Sequence, residues 1–503
     1  MATLSLAAIL AENARRRPDK TALVEGELRL TFGEVWRRAL ARAGALTALG
    51  VRPGDRIALM APNTAEFPVA YYAVAAAGGV VVPVHLLLSP PEVEHVLKDS
   101  GASLLLVHPA QAETGRAAAR AVGVPVVVLG EEFDRLAADA GPLPSYVTRN
   151  ADDPAVVFYT SGTTGVPKGA VLSHFNLVMN ATVNAFDAND VRADDIALGA
   201  LPLFHAFGQT VSMNSTWRAG ATLVLLPRFD AARAIELMVR EKVNTFHGVP
   251  TMFVSLAAAA ADAAALPELR LCISGGASLP VAVLERFEKA FGARIYEGYG
   301  LSETSPTATV NQPCFGTRAG TIGHPLWGVD VEIARAEVDD RVELLPSGEL
   351  GEVVIRGHNV FSGYLGRPEA TAEAVVDGWF RTGDLGTKDE DGFLRIVDRK
   401  KDVIIRGGYN VYPREVEEVL MRHPGIAQAA VIGLPDELHG EEVCAIVVPA
   451  PGAAPDAAAI TEWSKEHLGR HKYPRRVEVT DSLPLGPSMK ILKRELRARY
   501  AGS

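Results

Sequence analysis

The sequence predicts an α/β protein with a large N-terminal part of mostly parallel sheets carrying helices, a β-rich subdomain, and a small α+β domain at the C-terminus. Three observations lead there. Short β-branched runs alternate with longer Ala-, Leu- and charge-spaced stretches over the first 300 residues, the pattern of strands joined by crossover helices. From about Gly328 the long helical stretches give way to strands and turns, and after Asp398-Arg399-Lys400-Lys401-Asp402 the chain returns to mixed α/β. Its 503 residues are enough for several domains and a large core.

In order along the chain, the opening MATLSLAAILAENARRRPDK carries Arg15 to Arg17 after its apolar stretch, the reverse of a secretory leader, and reads as an amphipathic helix. Strands are expected at Arg56 to Met60, Val80 to Val84, Ser103 to Val107, Val126 to Leu129, Ala155 to Tyr159, Thr222 to Leu226 and Leu271 to Ser274. The most apolar run, Phe67 to Leu88, raises the question of a membrane span. Pro68, Gly78-Gly79, Pro83 and His85 interrupt it, so a buried Ala-rich helix followed by a strand is the expectation. Ala257 to Ala265 should form an Ala-rich helix. Val329 to Ile333, Gly351 to Ile355 and Phe393 to Ile396 are strands of the β-rich subdomain, about 328-398. A hinge near residue 400 divides 1-398 from a final domain, 399-503, with a helix from Pro413 to Arg422 and strands at Ala427 to Gly433 and Val443 to Val448.

Lys plus Arg total 50 against 60 Asp plus Glu, a net charge of −10, so no broad cationic field exists to hold nucleic acid or anionic lipid. Cys272, Cys314 and Cys444 fall in no CxxC or Cys/His cluster, which excludes a recognisable zinc site and fits reduced thiols in the cytoplasm.

The segment from Tyr159 to Gly169, YTSGTTGVPKG, directly follows an apolar strand. Glycines let backbone N–H groups turn inward, hydroxyls add donors and Lys168 adds a point charge, which together can cradle a phosphate. Pro167 before Lys168 and Gly169 after it rule out a Walker loop. Glycine content alone would equally suit a surface turn. Asp384, in a Trp-Phe-Arg-Thr-Gly-Asp turn, could accept two hydrogen bonds from a vicinal diol or simply cap the turn. Glu303 offers a hard oxygen ligand suited to Mg²⁺, although a solvated glutamate would read the same. A lone His205 in LPLFHAFG is more often a core residue than a catalytic one, and Lys490 in SMKILKREL would also suit a solvated helix start.

These motifs keep company. With the loop come Leu201-Pro-Leu-Phe-His205, Ser274-Gly-Gly-Ala277, Glu297-Gly-Tyr-Gly-Leu-Ser-Glu303-Thr304, Gly378-Trp-Phe-Arg-Thr-Gly-Asp384, Val397-Asp-Arg399-Lys-Lys401, Gly407-Gly-Tyr-Asn-Val-Tyr-Pro413 and Pro487-Ser-Met-Lys490. In this order, over nearly its full length, the chain resembles the adenylate-forming enzymes, with acyl-CoA and aryl-CoA ligases the nearest in pattern. The resemblance implies an acid-thiol ligase that activates a carboxylic acid as acyl-AMP with pyrophosphate release, then transfers the acyl group to CoA as co-substrate, with a mobile C-terminal domain turning between the steps. It assigns ATP, with its Mg²⁺, to Thr160, Ser161, Gly162, Thr163, Thr164, Lys168, Glu297, Gly298, Tyr299, Ser302, Asp384, Arg399 and Lys490. Thr160 and Glu303 are the implied metal ligands, and Lys490, His205 and Glu303 the implied catalytic groups. His205, Val249, Gly275, Gly276 and Gly300 are the implied acyl-pocket walls; being mostly small or apolar, they favour a fatty or aryl tail. Gly407, Gly408 and Tyr409 would face CoA, and Lys401 would be the hinge.

One departure stands out. Relatives of this family have Gly before the mobile lysine, where this chain has Ser488-Met489, so the geometry of the Lys490 loop is open. A carrier-protein phosphopantetheine is an alternative acceptor with the same reactive end. Arg470, His471 and Lys472 could meet either nucleotide phosphates or an acidic carrier. A remoter alternative is an inactive binding protein in which Met489 has disabled the lysine loop.

Overall fold

The computed structural model of the protein describes residues 2–160, 167–486 and 490–501. Two large, mostly parallel sheets form the N-terminal part. One runs Gly363–Tyr364, Lys168–Ser173, Pro154–Thr160, Val80–Pro83, Arg56–Met60, Leu104–Val107, Val126–Val128 from edge to edge. The other has nine strands, with Ile295–Gly300, Leu271–Ser274, Thr245–Gly248 and Ile196–Gly199 in sequence near its middle. Helices cover both, as the alternating pattern requires.

The apolar run resolves into the helix Glu66–Ala76, in which every residue from Phe67 to Ala76 is buried, and the strand Val80–Pro83. A helix apolar on all sides belongs inside a core, and no helix among the described residues is long and apolar enough to cross a membrane. The opening amphipathic helix is Ala8–Arg16, with Ile9 and Leu10 inward and Arg15 and Arg16 at its last turn. The Ala-rich segment departs from expectation: its helix is Pro250–Ala259, started by a proline at its first position, and it stops before Ala265 after one 3₁₀ turn. Propensity set the helix type, but packing of Met252, Phe253 and Leu256 into the core set where it begins.

The β-rich subdomain is a five-stranded sheet of Val329–Ala334, Gly351–Gly357, Trp379–Lys388, Val375–Val376 and Leu394–Arg399, crossed by one short helix, Pro368–Ala374. The next strand, Ile404–Arg406, pairs in a different sheet with Tyr409–Val411 and Gly440–Pro449. The chain therefore changes sheets between Arg399 and Ile404, where exposed Lys401 lies.

Strands Pro154–Thr160, Thr245–Gly248, Leu271–Ser274 and Ile295–Gly300 end at the residues singled out above. Parallel sheets bind ligands beyond the carboxyl ends of their strands.

Candidate active site

Asp384 is 4 % exposed and lies within a network. The Tyr299 hydroxyl donates to its Oδ2 at 2.6 Å, Arg399 Nε lies 3.2 Å from its Oδ1, and its own amide bonds to Thr382 Oγ1. The turn is set from beneath by Glu352, whose Oε1 accepts the Gly383 amide at 3.0 Å while Oε2 holds the Arg381 guanidinium. A buried carboxylate with one oxygen beside a cation and the other beside a phenol has lone pairs left for a diol.

Glu303 is buried, and its Oε1 accepts from Thr160 Oγ1 at 3.3 Å and from the Tyr364 hydroxyl at 3.0 Å. Among the described residues no lysine or arginine forms an ion pair with it. Lys168 Nζ sits 5.4 Å from the centre of the Tyr364 ring, so the lysine of the phosphate loop and the glutamate share one tyrosine. Gly300 leads into this corner, and a Cβ there would strike the Pro306 carbonyl at 1.7 Å.

A small cavity is walled by Leu201, Pro202, His205, Phe207 and Val249. Gly276 and Lys490 close it. Gly276 has φ +80°, a conformation that favours glycine, and a Cβ there would come within 3.3 Å of Lys490 Cε, so a side chain would crowd the lysine. His205 Nδ1 accepts the Phe207 amide at 3.3 Å, leaving Nε2 as the nitrogen able to serve a ligand. Burial, aided by Lys490, pushes its pKa down to about 3, so the imidazole is neutral and acts as a dipole.

Burial is also the main cause that lowers the Lys490 ammonium to about 8; Arg399 adds to the shift, while Asp384 and Glu303 oppose it. Phosphate charge brought beside it must raise that value again. Hence ATP binding between about pH 8 and pH 10 is expected to take up a proton, by the linkage of ligand and proton affinities. Calorimetry in buffers of different ionisation enthalpy would detect the uptake, and Lys490→Ala should lack it.

The C-terminal domain is docked through carboxylates and amides. Asp398 accepts the Arg414 amide at 2.9 Å, Glu418 accepts the Val281 amide at 3.4 Å, and Arg414 lies 3.9 Å from Glu297. Glu297 Oε1 also accepts the Leu279 amide, and burial raises its pKa to about 7 against the pull of Arg414. Its side chain is thus engaged with the domain contact, and Gly298 beside it offers backbone only.

Of the other residues named from sequence, Ser302 opens a 3₁₀ turn that carries Glu303, and Gly275 backs the Phe207 ring, 3.1 Å from where its Cβ would be. Gly407 and Gly408 form the tight turn between two short strands of the C-terminal sheet. Tyr409 beside them is 62 % exposed and packs on His471 with ring centres 5.1 Å apart, outside the cavity. Ser161, Gly162, Thr163, Thr164, Ser488 and Met489 lie outside the described residues. Tyr364, Glu352 and Arg414 carry no local signal in the sequence, since their parts come from folding; Phe207 stands inside a motif but has no polar atom to mark it.

The arrangement sets Lys490 beside a neutral imidazole at one cavity, with the Asp384 and Glu303 carboxylates within electrostatic reach of that lysine and Lys168 on the Tyr364 ring that Glu303 shares. An AMP-binding enzyme family model matches residues 10–365, and its C-terminal domain model matches residues 415–490. The chain is 42 % identical to a feruloyl-CoA synthase of Amycolatopsis sp, covering 97 % of each chain. It is 38 % identical to the fatty acid–[acyl-carrier-protein] ligase ScoC of Streptomyces coeruleorubidus, covering 97 % of this chain and 95 % of that one. An anthranilate CoA ligase crystallised with anthranoyl-AMP superposes with a TM-score of 0.93 at 29 % identity, covering 99 % of this chain and 98 % of the other. The chain belongs to the AMP-binding, adenylate-forming enzyme family and is an AMP-forming acyl-CoA ligase.

Proposed function

We propose that the enzyme activates an apolar fatty or aryl carboxylic acid and hands its acyl group to CoA. The observation that carries this reading is the meeting of Lys490 from the C-terminal domain with His205 in an apolar cavity next to Asp384 and Arg399. The carboxylate oxygen attacks the α-phosphorus of ATP, the bond to pyrophosphate breaks, and charge crowds on the α-phosphate oxygens. Lys490 and Lys168 supply positive charge there, His205 donates from Nε2 toward the carboxylate, and Asp384 holds the ribose diol. The Glu303 carboxylate, buried and with hydroxyl hydrogen-bond partners but no ion pair among the described residues, suits Mg²⁺ together with Thr160; such an ion would supply charge neutralisation on the phosphates. In the second half-reaction the thiol sulfur bonds to the acyl carbon, AMP leaves on its phosphate oxygen and the thiol proton passes to solvent or phosphate. The lysine that fills the cavity must first withdraw, which a turn at Lys401 bringing up Gly407, Gly408 and Tyr409 would accomplish.

The test is the product pair: acid-dependent AMP and pyrophosphate are expected, and ADP with phosphate would overturn the reading. Among acids, aliphatic and aromatic monocarboxylates should exceed malonate and methylmalonate in kcat/KM. Apart from Lys490, which this reading commits to the α-phosphate, the cavity's lining residues present no cation to a second carboxylate, and burying one unpaired is costly. Malonate as the best substrate would refute the apolar pocket.

A second acceptor is favoured by one observation, the full-length likeness to a ligase that loads an acyl carrier protein. Matched assays with CoA, pantetheine and carrier protein separate the two, and CoA is expected to be used best.

A further inference from the structure

Two elements that line the cavity each carry a polar side chain one step deeper. Val249 lines it just past the strand Thr245–Gly248, and residues two apart on extended chain face the same way, so His247 lies on the same face about 6.6 Å back along the strand. Phe207 lines it at the start of the π-helical segment Phe207–Ser215, whose i to i+5 repeat sets Ser212 one turn on. These two deeper residues meet: His247 Nδ1 is 3.2 Å from Ser212 Oγ. Ser212 is fully buried and His247 is 1 % exposed, yet among the described residues its Nε2 has no hydrogen-bond partner. A strand core and a helix face that could both have been aliphatic instead hold a bonded pair with one nitrogen unspent. An unpaired buried nitrogen costs free energy unless something comes to it.

We propose that His247, positioned by Ser212, forms the polar floor of the acid pocket and hydrogen-bonds a neutral oxygen at the far end of an aryl acid, such as a ring hydroxyl. The inference rests on the reading of an aryl or fatty acid and selects the aryl branch. Either tautomer serves. With Ser212 donating to Nδ1, Nε2–H donates to the oxygen; with Nδ1–H donating to Ser212, Nε2 accepts from a hydroxyl. Burial holds the His247 pKa down at about 4, so the ring is neutral. A neutral ring recognises a phenol or ether but does not compensate a second carboxylate, in keeping with discrimination against dicarboxylates.

The experiment compares kcat/KM for 4-hydroxycinnamate and cinnamate, which differ by one oxygen, with octanoate as an aliphatic reference. The wild-type enzyme is expected to prefer the hydroxylated acid by at least about 10-fold, since a site built around a hydroxyl penalises the analogue that leaves its partner unpaired. In His247→Phe the ratio should fall to about one, and in Ser212→Ala it should fall part of the way. Thermal unfolding checks that each variant is folded, and His247→Asn replaces His247→Phe if the larger ring prevents folding. A wild-type ratio near one with both aryl acids turning over overturns the inference alone, as does an unchanged ratio in the folded variants. Turnover of octanoate with neither aryl acid overturns the aryl branch and this inference with it, while leaving the ligase reading in place.

Discussion

Lys490→Ala is expected to lower acyl-adenylate formation from ATP and acid by about 10²- to 10³-fold, the usual loss when a preorganised charge is taken from a crowded anionic transition state. The same variant should convert a supplied acyl-adenylate to thioester at close to the wild-type rate. The lysine lines the cavity against Gly276 together with His205; the proposed mechanism has it leave before the thiol attacks. On the proposed mechanism it would act in the first step and be absent from the second. Pyrophosphate release measured with acid and ATP, and thioester formation measured from synthetic adenylate, separate the two. Equal losses in both would contradict a turning domain. Undiminished adenylation would assign the step to Lys168.

The second large effect lies outside the reacting groups. Glu352 and Arg381 are a buried ion pair with side chains 4 % and 7 % exposed, and Glu352 also accepts the Gly383 amide ahead of Asp384. Glu352→Ala leaves the buried Arg381 guanidinium with the Val338 carbonyl and the exposed Asp339 carboxylate 3.9 Å away as its remaining partners; breaking a buried pair typically costs about 3–5 kcal/mol, and Asp339 should keep the loss at the low end. The substitution also frees the turn that aims Asp384. The expected result is an earlier unfolding transition together with a raised KM for ATP. Glu352→Gln, which keeps an acceptor for Gly383, should recover more of the KM than of the stability. A stable Glu352→Ala enzyme with unchanged KM would show that the turn stands on Thr382 alone, whose hydroxyl donates to the Val353 carbonyl.

Strands such as Arg56–Met60 and Leu271–Ser274 were legible because their apolar runs are short and bounded by turn residues. Charged and glycine-rich site motifs were legible for a related reason: a carboxylate or lysine in an apolar or Gly-rich setting is chemically conspicuous. What stayed hidden depends on distant partners. Tyr364 reaches Glu303 across 61 residues, and Arg414 reaches Glu297 across more than a hundred. His247 reads in the sequence as one polar residue in a strand, and its meaning comes from Ser212, 35 residues away on a π-helical turn that no local propensity foretells. The helix Pro250–Ala259 shows the remaining limit, since alanine marks helical tendency but not where tertiary contacts end it.

On the proposed mechanism the Lys490 side chain that lines the small cavity would be a timekeeper as well as a charge. While it is seated, acceptor thiol would be kept from the acyl carbon. A thiol that arrives early must wait, so the two co-substrates queue rather than compete. Without thiol, each active site should release one equivalent of pyrophosphate and stop, holding its reactive anhydride behind a closed door. Hydrolytic waste is then governed by how rarely that door opens unprompted, a property of the domain contact at Arg414 and Glu418 and not of the reacting groups.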